Sequence, residues 1–149
     1  MKFDLHDYLP YLLNRVGFTL SDQFSQELAA DSLTVSMWRV LAVLWHDGPQ
    51  HMTGLAELTS IDVSTLSRLI GSLQRRGLVT RKRAGGDGRY VRAALTSRGT
   101  ALTERLLPKA LALEDRLIGA MTPRDVATLK RLLDQLYENV SAKTIAVGF

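Results

Sequence analysis

Hydrophobic residues follow a helical spacing in the first third of the chain. One such segment runs from Leu5 to about Ala29, and a second is the stretch DSLTVSMWRVLAVLWHDGP. Pro10 interrupts the first segment, so its helix either starts or bends there. Thr34 or Ser36 is placed to cap the start of the second helix, and the DGP that follows favours its end. The pattern therefore predicts two helices in this third.

Two shorter helical segments follow. Residues 53–59 place Leu55, Ala56 and Leu58 on a predicted inward side. After the break SID, a second segment carries one apolar stripe, formed by Leu66, Leu69, Ile70 and Leu73. Gly77 stands where a helix C-cap is expected. Two short helices joined by a tight turn predict a helix-turn-helix.

The spacing changes to alternation after this helix. The runs LVTRKR and RYVRAAL are β-like, and AGGDG between them predicts a hairpin. Helical spacing then returns in two segments. Thr96 or Ser97 starts the first, Pro108 is expected to kink it, and Thr122 caps the second. The predicted fold class is mainly α with a small β-hairpin.

The composition argues against disulfide-linked, thiolate-zinc and membrane-spanning proteins. The 149 residues suffice for one domain with a hydrophobic core. The sequence has no cysteine, which excludes disulfides, thiolate zinc sites and thiol-based redox sensing. No apolar run reaches the roughly 18 residues of a membrane span, and the N-terminus lacks the layout of a signal peptide. We therefore expect a cytoplasmic protein without a membrane partner.

The positive charge is concentrated in the middle of the chain. Residues 53–99 hold nine Lys and Arg against three Asp and Glu, whereas the remainder holds ten basic and twelve acidic residues. A basic centre between mildly acidic ends favours a polyanion as partner.

The segment 63–75 has a polar face opposite its apolar stripe. At 100° per residue this face consists of Ser64, Arg68, Gly71 and Arg75, flanked by Thr65, Ser67 and Ser72. Small side chains let a helix enter a major groove about 12 Å wide, where Ser, Thr and Arg reach base edges or phosphates. The alternative is an ordinary amphipathic helix with a solvated face. The short helix before it and the basic hairpin after it favour nucleic acid.

Other chemistries find less support. The stretch AGGDGR does not match the phosphate-binding GxxxxGK[ST] and opens no helix. His46, Asp47 and His51 lie close along the chain, but no fourth metal ligand is visible, and a solvated interhelical loop is favoured. No catalytic motif is present, so we expect neither an enzyme nor a bound metal or cofactor.

The run LAELTSIDVSTLSRLIGSLQRRGLVTRKRAGGDGRYVRAALTSRG resembles the winged helix-turn-helix core of the MarR (multiple antibiotic resistance regulator) family. Asp87 and Arg89, followed by Leu95, Thr96 and Gly99, resemble the wing signature of that family. The flanking helices and the total length match as well, so the resemblance covers nearly the whole chain.

This resemblance implies a homodimer that binds a pseudo-palindromic duplex. It divides a single domain, 1–149, into a DNA-binding lobe at 34–99 and helical dimerisation regions at 1–30 and 100–149, where the first and last helices interleave. The second short helix would enter the major groove and Arg89 the minor groove, with Asp87 holding that arginine in position. The candidate DNA-binding residues are Thr53, Ser64, Thr65, Ser67, Arg68, Arg75, Arg83 and Arg89.

The resemblance also implies a regulatory function. Many members are repressors released by small, often aromatic acid ligands, which bind between the dimer helices and the DNA-binding lobe. Here Tyr11, Arg15, Met37 and Trp38 would line that crevice, the alternative being that Trp38 is core and Arg15 a rim salt bridge. We expect a sequence-specific regulator of transcription, a repressor relieved by such an effector. The alternative is a non-specific architectural DNA-binding protein.

Overall fold

The computed structural model of the chain describes residues 1–84 and 90–146. Its helices and strands follow in the order α1 (Leu9–Leu28), α2 (Val35–Asp47), β1 (Gln50–His51), α3 (Met52–Thr59), α4 (Val63–Arg75), β2 (Val79–Ala84), β3 (Tyr90–Leu95), α5 (Ser97–Ile118) and α6 (Pro123–Ala146). The fold is mainly α with a small antiparallel sheet, which confirms the predicted class.

Three threonines begin three of the helices. The Oγ1 atoms of Thr34, Thr96 and Thr122 each accept a hydrogen bond from the backbone amide three residues later, at 3.1, 2.9 and 3.1 Å. These bonds satisfy amides that have no partner within the helix. Pro10 lies in the first turn of α1, so that helix starts there and does not bend. Pro108 lies inside α5, which continues to Ile118.

The sheet contains one strand that the sequence pattern did not reveal. Strands β2 and β3 form the predicted hairpin, with Val79 opposite Leu95 and Ala84 opposite Tyr90. The two-residue strand β1 pairs with the other side of β3. Part of the expected interhelical loop is therefore strand, because β3 has a second edge to pair with.

The hydrophobic core is formed by α3 and α4 together with side chains of α1, α2, the hairpin and α5 that pack against them. The apolar stripe of α4 is confirmed, since Leu66, Ile70 and Leu73 are buried and Leu69 packs against them. The inward placement of Leu58 is wrong, because its side chain is 52% exposed. Helix α3 begins at Met52, and its inward face consists of Met52, Leu55, Ala56 and Thr59. At 100° per residue, Leu58 lies about 110° from the middle of that face.

A close backbone approach joins the end of α4 to the start of α5. Gly77 has φ +71° after α4, and its amide and that of Leu78 donate to carbonyls of the last turn. The hydroxyl of Thr96 donates to the Gly77 carbonyl at 2.6 Å. Gly99 is buried and packs directly against the backbone of Leu78, so that a Cβ at position 99 would lie 2.0 Å from the Leu78 carbonyl oxygen. This position therefore requires glycine.

The chain divides into two compact units, Met1–Leu113 and Glu114–Phe149. The first contains the core described above. In the second, Lys130 donates to Glu114 at 2.5 Å, and one face of α6 exposes large apolar side chains, namely Leu129, Leu132, Leu133, Tyr137 and Val140. In the described part of the chain no single helix is long and apolar enough to cross a membrane; only the pair Leu9–Asp31 and Val35–Asp47, bent by 81°, passes by length and composition.

Candidate nucleic-acid interface

Helices α3 and α4 are joined by a tight turn. Ser60 adopts the left-handed conformation with φ +55° and donates its amide to the Glu57 carbonyl at 3.2 Å. The amide of Ile61 donates a hydrogen bond to the Ala56 carbonyl at 3.1 Å, and the Ile61 side chain is buried. These bonds end α3 and fix the direction in which α4 leaves. The predicted helix-turn-helix is therefore present.

Asp62 caps the first turn of α4. Its Oδ1 accepts hydrogen bonds from the Thr65 amide at 2.9 Å and from the Ser64 hydroxyl at 2.6 Å. These donors, the Ser64 hydroxyl first, hold the pKa of the Asp62 carboxyl well below its usual range. The carboxylate is therefore ionised at neutral pH, where it also complements the positive end of the helix dipole.

The outward face of α4 carries the predicted polar residues. Ser64, Arg68 and Arg75 are exposed, while Thr65 and Ser67 are half-buried at the edges of that face. Arg68 donates to the Thr65 hydroxyl at 3.4 Å. No acidic residue occurs between Ser64 and Arg75 in the sequence. The face combines small hydroxyl side chains at its start with guanidinium groups further along.

The neighbouring elements add basic residues beside α4. Arg81 on β2 donates to the Ser67 hydroxyl at 3.4 Å, which ties the hairpin to α4. Arg83 is exposed on β2, and Thr53 is exposed in the first turn of α3. Asp87 and Arg89 lie outside the described residues. The structure thus groups Ser64, Thr65, Ser67 and Arg68, with Arg81 of the basic hairpin beside them.

Val63 is a residue that the sequence reasoning missed. It is the first residue of α4, beside Ser64, and its apolar side chain is 51% exposed. An apolar side chain at this point suits a thymine methyl group in the major groove. The signal in the sequence was an apolar residue directly after the capping Asp62. This residue is not part of the apolar stripe that packs α4 on the core.

The candidate effector residues form two separate groups. The guanidinium of Arg15 lies 5.5 Å from the ring centroid of Tyr11, a cation–π contact on α1. Trp38 packs edge-on against Phe24 at 5.6 Å between ring centroids, and Met37 packs against the core. Within residues 1–84 and 90–146, no hydrogen bond or ring contact joins the α1 pair to the α2 pair.

The histidine cluster does not form a metal site in the described part of the chain. His46 Nδ1 and Asp47 Oδ1 are 2.7 Å apart, whereas His51 belongs to β1 and pairs across the sheet with Arg92. Among the described residues, no three His, Asp or Glu side chains are placed to hold a metal ion together.

Comparison with known proteins gives a consistent result. The sequence pattern of the MarR family matches residues 31–89. The HTH-type transcriptional repressor Rv2887 of Mycobacterium tuberculosis is 30% identical over 128 residues, which cover 86% of this chain and 92% of that protein.

Solved structures extend the similarity to the fold. A MarR family transcriptional regulator from Silicibacter pomeroyi has a TM-score of 0.85 at 28% identity, with 93% of both chains covered. BpsR of Bordetella bronchiseptica, whose DNA binding is regulated by 6-hydroxynicotinic acid, has a TM-score of 0.84 at 25% identity, with 93% of this chain and 99% of that chain covered. The predicted winged helix-turn-helix is thereby confirmed. The chain belongs to the MarR family of transcriptional regulators, which are not enzymes.

Proposed function

We propose that this chain acts as a homodimer that binds a pseudo-palindromic DNA operator and represses transcription. The observation that carries the proposal is the exposed start of α4, where Asp62 caps the helix and fixes Ser64 and Thr65 in place. Preorganised polar groups on a helix that fits the major groove are what direct reading of base edges requires.

The remaining candidates extend this contact along the duplex. Arg68 and Arg75 lie further along the same face of α4, within reach of base edges or the phosphates that border the groove. Arg83 on β2 and Thr53 on α3 contact phosphates on either side of α4. Asp87 positions Arg89, and Arg89 enters the minor groove, where it responds to groove width.

Two copies of the chain associate through their terminal helices. The α1 side chains Leu9, Leu12, Leu13, Val16 and Phe18 are exposed in the single chain, as are the α6 side chains named above. Large apolar side chains exposed on a helix in this number mark an interface. We assign 34–99 to the DNA-binding lobe and 1–30 with 100–149 to dimerisation, within one domain. As a DNA-binding regulator, the protein works in the cytoplasm.

A small aromatic acid relieves the repression. The hydroxynicotinic acid that regulates BpsR supports this class of effector. Tyr11 offers an aromatic face and Arg15 a guanidinium for a carboxylate, and Met37 with Trp38 supplies the apolar side. Effector binding favours a conformation in which the two α4 helices no longer match the operator spacing.

Selection of bound duplexes from a random pool tests the proposed function. We expect a palindrome whose half-sites are separated by about one helical turn, which reports the dimer and the placement of both α4 helices. If the pool yields no motif and random duplex binds equally well at physiological salt, the protein is instead an architectural DNA-binding protein.

A further inference from the structure

The first turns of α5 form one wall of a pocket in the first compact unit. The pocket has a volume of about 390 Å³, within the range of small-molecule sites. Its opposite wall comprises Asp31, which follows α1, and Arg76 and Leu78, which follow α4. It contains none of the residues that we assign to DNA or to the aromatic effector.

The α5 wall is a single helical stripe. Arg98, Ala101, Leu102 and Arg105 stand at positions i, i+3, i+4 and i+7, so they share one face. The two arginines are about 10 Å apart along the helix axis at 1.5 Å per residue. The surface between them is apolar and is extended by Leu78 from the opposite wall.

The two arginines of α5 retain most of their hydrogen-bonding capacity. Arg105 uses one Nη2 bond, to Asp31 Oδ1 at 2.6 Å, and its side chain is 61% exposed. A guanidinium has five N–H donors, so four remain. For Arg98, the described residues show neither a side-chain hydrogen bond nor an ion pair, and its side chain is exposed. Arg76 differs, because both its Nη atoms donate to the Asp31 and Ser32 carbonyls.

The pocket carries excess positive charge. Its wall has three guanidinium groups and one carboxylate, that of Asp31. The hydrogen bond from Arg105 holds the pKa of Asp31 below its usual value, so the carboxylate stays ionised at neutral pH. The pocket therefore has a net charge of +2. Because Asp31 compensates Arg105, the excess belongs to Arg98 and Arg76, while Arg105 keeps N–H donors for a ligand.

We propose that this pocket binds a small dicarboxylate with an apolar spacer, one carboxylate at Arg98, the other at Arg105, and the spacer on Ala101, Leu102 and Leu78. Guanidinium groups bind carboxylates through paired N–H donors, which gives each end a defined partner. The pocket lies beyond the C-terminal end of α4, about 18 Å along that helix from Ser64, so the ligand is separate from DNA.

Calorimetric titration of the full chain without DNA tests this site, with adipate as the probe at constant ionic strength. We expect one adipate per chain with a Kd below about 1 mM. Hexanoate, which has the same length but one carboxylate, should bind about tenfold more weakly or worse. Arg98→Gln should reduce the adipate affinity about tenfold or more, because it removes one charged end. Arg131→Gln on α6, which does not line the pocket, should leave it unchanged.

Three results would overturn the proposal. Adipate would fail to bind the wild-type chain at about 10 mM, or hexanoate would bind equally well, or Arg98→Gln would bind adipate like the wild type. Thermal unfolding of Arg98→Gln establishes that the variant is folded. Because the titration contains no DNA, its outcome is independent of the proposed operator binding.

Discussion

Ser64 donates its hydroxyl proton to Asp62 Oδ1 across 2.6 Å, and this bond determines what Ser64 presents to solvent. A serine hydroxyl has one proton and two lone pairs. Because the proton is engaged by Asp62, the lone pairs remain at the exposed start of α4. Ser64 is therefore held as a hydrogen-bond acceptor on the face that we propose meets DNA.

Ser64→Ala should change the preferred operator sequence. In the major groove the base donors are adenine N6 and cytosine N4, so an acceptor at Ser64 favours one of these bases. Removing it should cost about 1–3 kcal/mol of discrimination at one position of each half-site. Competition binding with single-base operator variants measures this, and Ser25→Ala on α1 is the control. Uniform weakening on all sequences would instead identify Ser64 as a phosphate contact.

Asp62 should stabilise the fold more when its carboxylate is ionised than when it is protonated. Its pKa is lowered from an ordinary value of 3.8 by the Ser64 and Thr65 donors. A lowered folded-state pKa gives stability that is present above the unfolded pKa and is lost as the pH falls through the folded value. Asp62→Asn keeps the capping oxygen but not the charge, so it isolates this effect.

We therefore expect the melting temperature of the wild type to exceed that of Asp62→Asn by a constant amount from about pH 5 to pH 8. The difference should shrink below about pH 4, where the Asp62 carboxyl of the unfolded chain becomes protonated while that of the folded chain is still ionised. Asp62→Ala, which also loses the cap, should melt about 2–4 °C lower than the wild type at neutral pH. A difference between wild type and Asp62→Asn that stays constant into strong acid would contradict the electrostatic explanation.

Gly99→Ala should destabilise the junction of α4, the hairpin and α5. The added Cβ would lie 2.0 Å from the Leu78 oxygen, and that backbone is held by its own hydrogen bonds. Such overpacking costs about 1–3 kcal/mol. In Gly71→Ala the new Cβ would lie 3.5 Å from an Arg75 Nη1, an ordinary contact, and that variant should gain about 0.5–1 kcal/mol of helix stability. Urea unfolding without DNA measures the free energy of unfolding of both variants. Equal free energies of unfolding would contradict the close approach of Gly99 to Leu78.

Local patterns were sufficient for the helices but not for every contact. The stripe of Leu66, Ile70 and Leu73 was predictable because one face of α4 buries it, and the threonine caps were predictable because capping is a bond between near neighbours. Strand β1 was not, since it exists only through pairing with β3 more than forty residues later. Leu58 was misplaced because its orientation depends on where α3 begins.

The chemical details of the candidate sites also depend on non-local contacts. The serine and arginine positions of α4 were readable from the polar face of a helical wheel. That Ser64 is an acceptor follows only from the rotamer that brings it to Asp62. The α5 pocket rests on the bond between Arg105 and Asp31, residues that no helical pattern relates. Sequence reasoning thus found the helices and the hairpin, whereas strand β1 and the hydrogen-bond partners of the site side chains came only from the structure.

Arg89→Ala should weaken DNA binding and its dependence on salt. Arg89 lies outside the described residues, so its role stays a prediction from the family's wing signature. Loss of one cation near the duplex should reduce the slope of log affinity against log salt by about 1. Arg131→Ala on α6 controls for a change of net charge. An unchanged affinity and slope would show that the hairpin tip does not contact DNA.

Leu133→Glu should abolish dimerisation without unfolding the single chain. Leu133 lies at the centre of the exposed apolar face of α6, with Leu129 and Tyr137 one turn to either side. In the single chain its side chain is already 41% exposed, so the substitution removes little of the chain's own packing. In a symmetric dimer the change occurs twice, and losing two buried leucine contacts should raise the dimer Kd by about 100-fold or more.

Gln135→Glu, on another side of the same helix, is the matched control. Sedimentation velocity reports the association, circular dichroism the fold, and operator titration the accompanying loss of DNA affinity. A folded Leu133→Glu that sediments as the wild type does would exclude this face of α6 from the dimer interface.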